Sequence, residues 1–291
     1  MAIKYSKKLV EEAFENAYYV PKFQNKLIRK IFKIVNIFII KRIRKSIFFI
    51  KNFYVNILVF AKLAFKKKKI FIITPSIEEK NYSNISKRLN NNGWVFIENF
   101  IDLKFYNQLL KKWPSNLYFK YKNNPLKNYL WGFEYLNNKD KGGYYLNNDD
   151  KKLQLFDELK EYYNFILSKS FKQFINKISV AELDFECISI NSTIAKKNAF
   201  LIPHIDTIHD EKTNQFTLNC IHFIDGNNND IEYSGGTGIY KDNEFQKKIF
   251  IPTSLKNSLL IYNSRLKFFH GFKKIKKNNF RKAIAFQFFS K

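Results

Sequence analysis

The stretch Ala199-Phe200-Leu201-Ile202-Pro203-His204-Ile205-Asp206 reads as a short apolar strand that ends in two metal-capable side chains. On an extended chain residues i and i+2 project to the same face, so the His204 imidazole and the Asp206 carboxylate can converge on one ion. The run has seven companions. From Phe185 onward, β-rich segments at 185–190, 199–204, 216–224, 237–240, 248–251, 257–262, 266–270 and 281–289 are separated by turn residues. Eight short runs at this spacing predict an antiparallel barrel or jelly roll.

Working outward, Gly93-Trp94-Val95-Phe96-Ile97-Glu98-Asn99-Phe100-Ile101 predicts one more short strand, and Asp102 suits the N-cap of a helix. That helix would carry Leu103, Tyr106, Leu110 and Trp113 on one side. Residues 115–150, rich in Asn, Lys, Tyr and Gly, show no clear period and predict loops and short strands. Leu153 to Ser168 predicts a second amphipathic helix, with Leu155, Phe156, Leu159, Tyr163 and Ile166 facing inward. The expected class is α+β: a double-stranded β-helix, or jelly roll, flanked by helices and preceded by a basic helical extension.

The extension is marked by charge. The 291 residues carry a formal net charge of +26, which favours polyanionic partners such as nucleic acid or an anionic membrane. Drift toward Lys, Asn, Ile and Phe is a competing source of that excess in the C-terminal part. The excess is uneven: residues 1–75 hold 18 Lys or Arg against 3 acidic residues, and residues 76–291 hold 33 against 22. From Lys26, the residues Lys26, Arg29, Lys30, Lys33 and Asn36 share a polar side, while Leu27, Ile28, Ile31, Ile34, Val35 and Phe38 supply an apolar one. The most apolar part, Ser46 to Ala61, spans 16 residues and contains Lys51. A bilayer crossing needs about 20 apolar residues, so a transmembrane helix is not expected. Residues 26–69 are instead expected either to lie in an anionic membrane interface or to pack on the chain's own domain or a partner. Nucleic acid ranks behind the membrane. Lys66 to Lys69 and Thr74-Pro75-Ser76 place a boundary near residue 75.

Two cysteines, Cys187 and Cys220, are too few for a disulfide framework. Glu11, Glu12 and Glu15 interrupt the N-terminal apolar run, so no secretory signal is expected. A cytoplasmic, membrane-peripheral location is the expectation that follows.

Histidine is scarce, with only His204, His209, His222 and His270. A His-x-Asp pair alone does not identify a site. Here it is followed by His270, 64 residues after Asp206, and then by Arg281 at the head of the last run, Arg281-Lys282-Ala283-Ile284-Ala285-Phe286-Gln287-Phe288. His209 falls beyond the strand, in an expected loop. His222, by alternation, lies on the face opposite Asn219, Ile221 and Phe223, as a packed or surface histidine. Gly235-Gly236-Thr237-Gly238 is read as a hairpin or bulge, since no helix or Lys-Ser/Thr pair follows it.

The order His-x-Asp, distant His, then Arg on the next strand resembles the iron(II)/2-oxoglutarate-dependent oxygenase superfamily, prolyl-hydroxylase-like branch. The strand at 93–100, the Gly235-Gly236 turn and Phe269-His270-Gly271 agree with that resemblance, which covers about residues 90–291. With the boundary near residue 75 read from charge and composition, the chain divides into an extension, 1–75, which the resemblance leaves unexplained, and an oxygenase domain, 76–291. The resemblance implies Fe(II) held by His204, Asp206 and His270, a set that leaves three coordination positions open for a bidentate 2-oxoacid and O2. It also implies Arg281 on the far carboxylate of 2-oxoglutarate, where a planar guanidinium donates two charge-assisted bonds. The implied reaction is hydroxylation of an unidentified small molecule or protein side chain, with release of succinate and CO2 and with ascorbate as an optional reductant. Halogenases of the superfamily replace the carboxylate at the Asp206 position, so its presence favours hydroxylation. One departure stands out: where the family often supplies a Tyr hydroxyl to the cosubstrate, the matching position is Phe223. Asn219 or Thr217 is the expected substitute. The rivals are a jelly roll that binds a sugar, lipid or protein without catalysis, which the quartet disfavours, and a membrane- or nucleic-acid-binding protein acting through its basic N-terminus.

Overall fold

A computed structural model of the chain describes residues 26–63, 71, 73, 75–124, 126–138, 143–146, 150–179, 184–206, 209–210 and 215–290. The basic segment forms one long helix, α1 (Lys26–Leu63), and the flanking helices are α2 (Tyr82–Asn92), α3 (Leu103–Lys111), α4 (Asp150–Leu153), α5 (Asp157–Ile166) and α6 (Lys169–Ile178). Asp102 caps α3 as expected, its Oδ1 accepting the Phe105 N–H at 2.8 Å. The buried side of α3 is Phe105, Tyr106 and Leu109, while Leu103 is exposed. The single helix expected over 153–168 is broken by a turn after Leu153, and α6 follows it with its own cap, Ser168.

The strands are β1 (Trp94–Ile97), β2 (Lys120–Asn124), β3 (Lys127–Asn138), β4 (Gly143–Leu146), β5 (Phe185–Ala195), β6 (Phe200–His204), β7 (His209–Asp210), β8 (Gln215–Gly226), β9 (Gly238–Tyr240), β10 (Lys248–Phe250), β11 (Ser258–Asn263), β12 (Phe269–Phe272) and β13 (Arg281–Ser290). Ten of them run in the order β1-β11-β8-β13-β5-β3-β6-β12-β9-β10, all neighbours antiparallel, as a curled half-barrel of the jelly-roll type. Seven of the eight runs expected after Phe185 are strands over most of their length, and the run expected at 266–270 becomes a strand only from Phe269, after a 3-10 turn at Ser264–Leu266. The region 115–150 holds more order than its composition suggests, since β3 is a long strand that joins β5 to β6.

Period-2 alternation divides the sheet's faces. On β13, Ile284, Phe286 and Phe288 are buried against the helices with Phe171, Phe174 and Tyr162. On the other face Arg281, Ala283, Ala285 and Gln287 line the interior of the curl. On β8, likewise, Leu218, Cys220 and Ile224 join the helix-side core, and Ile221 and Phe223 turn to the interior. The two cysteines are free and buried. The end of α1 packs on the same core: Val55 and Val59 are 0% and 5% exposed, and Lys51 Nζ donates to the Phe119 carbonyl at 2.6 Å. The 75/76 division is therefore kept only as a proposal about function, because side chains on both sides of it share one core.

Candidate metal centre and its cavity

β6 and β12 pair antiparallel with His204 directly opposite His270. That rung brings together two residues far apart in sequence, and their ring centroids lie 4.1 Å apart. Asp206, two residues past His204, bends back between them: its Oδ1 is 3.5 Å from His204 Nε2 and its Oδ2 is 3.6 Å from His270 Nε2. One ligand atom from each of the three lies within 4.8 Å of the others. The His204 Nδ1–H donates to the Ile202 carbonyl at 3.0 Å, which leaves the Nε2 lone pair facing Asp206.

Electrostatics suit a cation at this point. Burial pushes the His270 imidazole down to about 3, so it is neutral and able to donate a lone pair. Burial would raise the Asp206 carboxyl, but the positive electrostatics of its surroundings, Lys127 among them, outweigh burial and hold it down at about 2. Gln287 steadies the carboxylate: its Nε2 lies 3.5 Å from Asp206 Oδ2 and donates to Asn219 Oδ1 at 2.8 Å, while its Oε1 accepts from Ser189 Oγ at 2.9 Å.

The cluster opens into a cavity of about 260 Å³ inside the curl. Arg281 lines it from β13, only 4% exposed, with Nη1 donating to Thr237 Oγ1 at 2.7 Å and to the Gly235 carbonyl at 2.9 Å. Burial lowers its pKa to about 10, so it stays charged at neutral pH. Among the described residues no carboxylate pairs with it, and its buried Nε has no hydrogen-bond partner. A buried cation without a counter-charge is costly unless an anion completes the site. Gly235 makes the approach possible. At φ 92° it sits in the left-handed region, and a Cβ there would meet Ile275 at 2.9 Å and the Arg281 side chain at 3.3 Å.

The partners expected for Arg281 are placed elsewhere. Asn219 meets Gln287, six residues along β13 from Arg281 and about 20 Å away along the strand, at the Asp206 end of the cavity. Its Nδ2 is buried and unpartnered there. Thr217 lies one step farther, opposite Phe289, and is not part of the cavity wall. Phe223 is fully buried, with the Arg281 guanidinium 6.0 Å from its ring. Two tyrosines line the cavity, Tyr262 beside His270 and Tyr129 on β3; burial raises the Tyr129 pKa to about 12, with Arg281 and Asp206 both acting on it electrostatically. Sequence reasoning missed Tyr129, Thr237 and Gln287. The alternation Tyr129, Trp131, Phe133 was the one available hint, and Thr237 follows the Gly-Gly turn that was singled out.

His209 sits in β7, a two-residue strand opposite Phe216, rather than in a loop, and its side chain lies outside the described residues. His222 takes the expected face and is fully buried. Its Nδ1 accepts from Tyr162 Oη at 2.6 Å and its Nε2 donates to Asn257 Oδ1 at 3.3 Å, while burial drives its pKa down to about 3. Replacing His222 with Ala is therefore expected to cost about 2–4 kcal/mol of stability, through a cavity and the stranded hydroxyl of Tyr162, Asn257 Oδ1 keeping the Ile101 N–H. Metal content should stay unchanged. Denaturant melts and metal analysis of the purified variant check both halves.

No protein-family model and no curated protein matches the sequence. Solved structures do match. One is a prolyl hydroxylase in complex with a hypoxia inducible factor oxygen degradation domain peptide fragment, from Trichoplax adhaerens, at 17% identity over 72% of this chain and 90% of that one, TM-score 0.51. Another is an oxidoreductase of the 2OG-Fe(II) oxygenase family from Burkholderia pseudomallei, at 10% identity over 77% of this chain and 96% of that one, TM-score 0.50. The curled sheet and its flanking helices thus have the fold of the prolyl hydroxylases and 2OG-Fe(II) oxygenases, in agreement with the resemblance seen in the sequence.

Proposed function

We propose that this chain is an Fe(II)- and 2-oxoglutarate-dependent dioxygenase that hydroxylates a small molecule or a protein side chain. The observation that carries the reading is one cavity holding both a His-Asp-His cluster and a buried arginine that no carboxylate among the described residues pairs with. His204, Asp206 and His270 would hold the iron on one face. Arg281, oriented by Thr237, would hold the far carboxylate of 2-oxoglutarate, with the Tyr129 hydroxyl as a further donor on the same wall. Bound iron and 2-oxoglutarate together supply oxidising power from O2, with succinate and CO2 as by-products. The chain's own part is to position and to exclude water. Phe272 and Phe223 dry the arginine, with the Phe272 ring 4.4 Å from the guanidinium, so its charge acts at full strength on a carboxylate.

Lys127, Trp131, Glu134 and Leu136 of β3, all partly exposed, form a stretch of the cavity wall from which substrate would approach. These residues come from the 115–150 region, which the sequence reads as loops and short strands. We also assign an anionic membrane surface to residues 26–69 as a second partner, on the charge split of the sequence.

The test is succinate release from 2-oxoglutarate by the purified chain with Fe(II) and O2. Slow turnover without substrate is expected, abolished by chelation. No succinate under any substrate pool would favour the non-catalytic binding module.

A further inference from the structure

Helix α1 has two different sides. Lys51, Val55, Val59 and Leu63 face the domain, with both valines in the core and Lys51 donating to the Asn116 and Phe119 carbonyls. At about 100° per residue, Phe53 and Ile57 lie roughly 200° around the helix from Val55, on the outward side. They are 65% and 53% exposed, and Ile50 and Phe60, beside them, are 68% and 82% exposed. The apolar strip continues toward the N-terminus through Ile43 and Ile39. Isolated exposed apolar residues are ordinary, but a continuous strip along several turns marks an interaction surface.

We propose that this outward strip inserts into the interfacial layer of an anionic membrane, holding the oxygenase domain on the bilayer by the side of α1 opposite its docked face. The inference rests on the membrane reading above and names the residues that make the contact. Charge selects the occupant. Residues 26–63 contain ten Lys or Arg, nine of them besides the docked Lys51, and no acidic residue. A second copy of this helix would set these cations against one another with no carboxylate on either helix to pair with them. A nucleic-acid backbone would neutralise the charge but offers no apolar layer for Ile50, Phe53, Ile57 and Phe60. An anionic leaflet supplies both, with head groups for the cations and the acyl boundary for the strip. No described helix is long and apolar enough to cross a membrane, which fits a helix lying in the interface plane.

Flotation of the full chain with phosphatidylcholine vesicles, with and without phosphatidylglycerol, tests the proposal. The chain should float with the anionic vesicles only. A variant carrying Ile50→Ser, Phe53→Ser, Ile57→Ser and Phe60→Ser should lose at least about tenfold in vesicle affinity, with an unchanged melting temperature because none of the four touches the core. As a measurement that does not depend on loss, Phe60→Trp should shift its emission to the blue on anionic vesicles. If the parent chain does not float, the membrane reading itself fails. If parent and quadruple variant float equally, or the Phe60→Trp emission stays put, the membrane reading stands on charge alone and this face assignment is overturned. A parent dimer that the quadruple variant converts to monomer would overturn it in favour of a second copy, and tighter binding to duplex DNA than to vesicles would overturn it in favour of nucleic acid.

Discussion

A His270→Ala chain is expected to lose its bound iron, with affinity falling by more than about 100-fold, since even groups that only orient a metal ligand are worth about 10- to 100-fold. His270 contributes a neutral imidazole, kept so by burial, at the one rung where β12 meets His204 on β6. Removing it leaves His204 and Asp206, a pair that offers two bonds and no enclosed face. His204→Ala and Asp206→Ala should behave alike, because the three ligand atoms form one cluster. Metal analysis after anaerobic loading with Fe(II), or titration with Mn(II), reads the effect without relying on turnover. Unchanged stoichiometry in His270→Ala would sink the metal assignment.

Arg281→Ala is expected to weaken 2-oxoglutarate binding by roughly 30-fold or more, corresponding to a loss of about 2–5 kcal/mol when a buried charge pair is broken. Metal affinity should be spared, as the guanidinium sits with Thr237 and Gly235 and makes no contact with His204, Asp206 or His270. Arg281→Lys should be milder, since charge survives while the planar fork is lost. Calorimetric titration of 2-oxoglutarate into the Mn(II)-loaded variants, with circular dichroism to show that each is folded, separates these outcomes. Binding as tight as the parent's in Arg281→Ala would move the cosubstrate role to another cation, such as Lys127, which also lines the cavity.

Much of the site was legible from local chemistry. The pairing of His204 with Asp206, the cap at Asp102, the packed face of His222 and most of the C-terminal strands depend on periods of a few residues, which a chain carries wherever it folds. The order His-x-Asp, His, Arg singled out the quartet before any contact was known. What failed was inference across strands. Asn219 and Thr217 were expected for Arg281 as substitutes on the strand where Phe223 stands in place of the family's Tyr. The antiparallel register instead sets Arg281 opposite Gly226, at the other end of that strand.

The sequence by itself thus determined most of the C-terminal strands, which side of each the residues occupy, and which side chains have the chemistry to hold a cation or a carboxylate; it did not show β3 or β7. Tertiary structure alone decided which rungs meet: His270 against His204, Gln287 against Asn219, Tyr129 carried in on β3, and Thr237 delivered to Arg281 by the positive-φ turn at Gly235. It also decided that the last turns of α1 bury Val55 and Val59 in the domain and leave Phe53 and Ile57 outside. The physical reason is the same in each case. Alternation and helical period are properties of neighbours along the chain, whereas register, sheet curl and the docking of a helix are set by the packing of segments far apart in sequence.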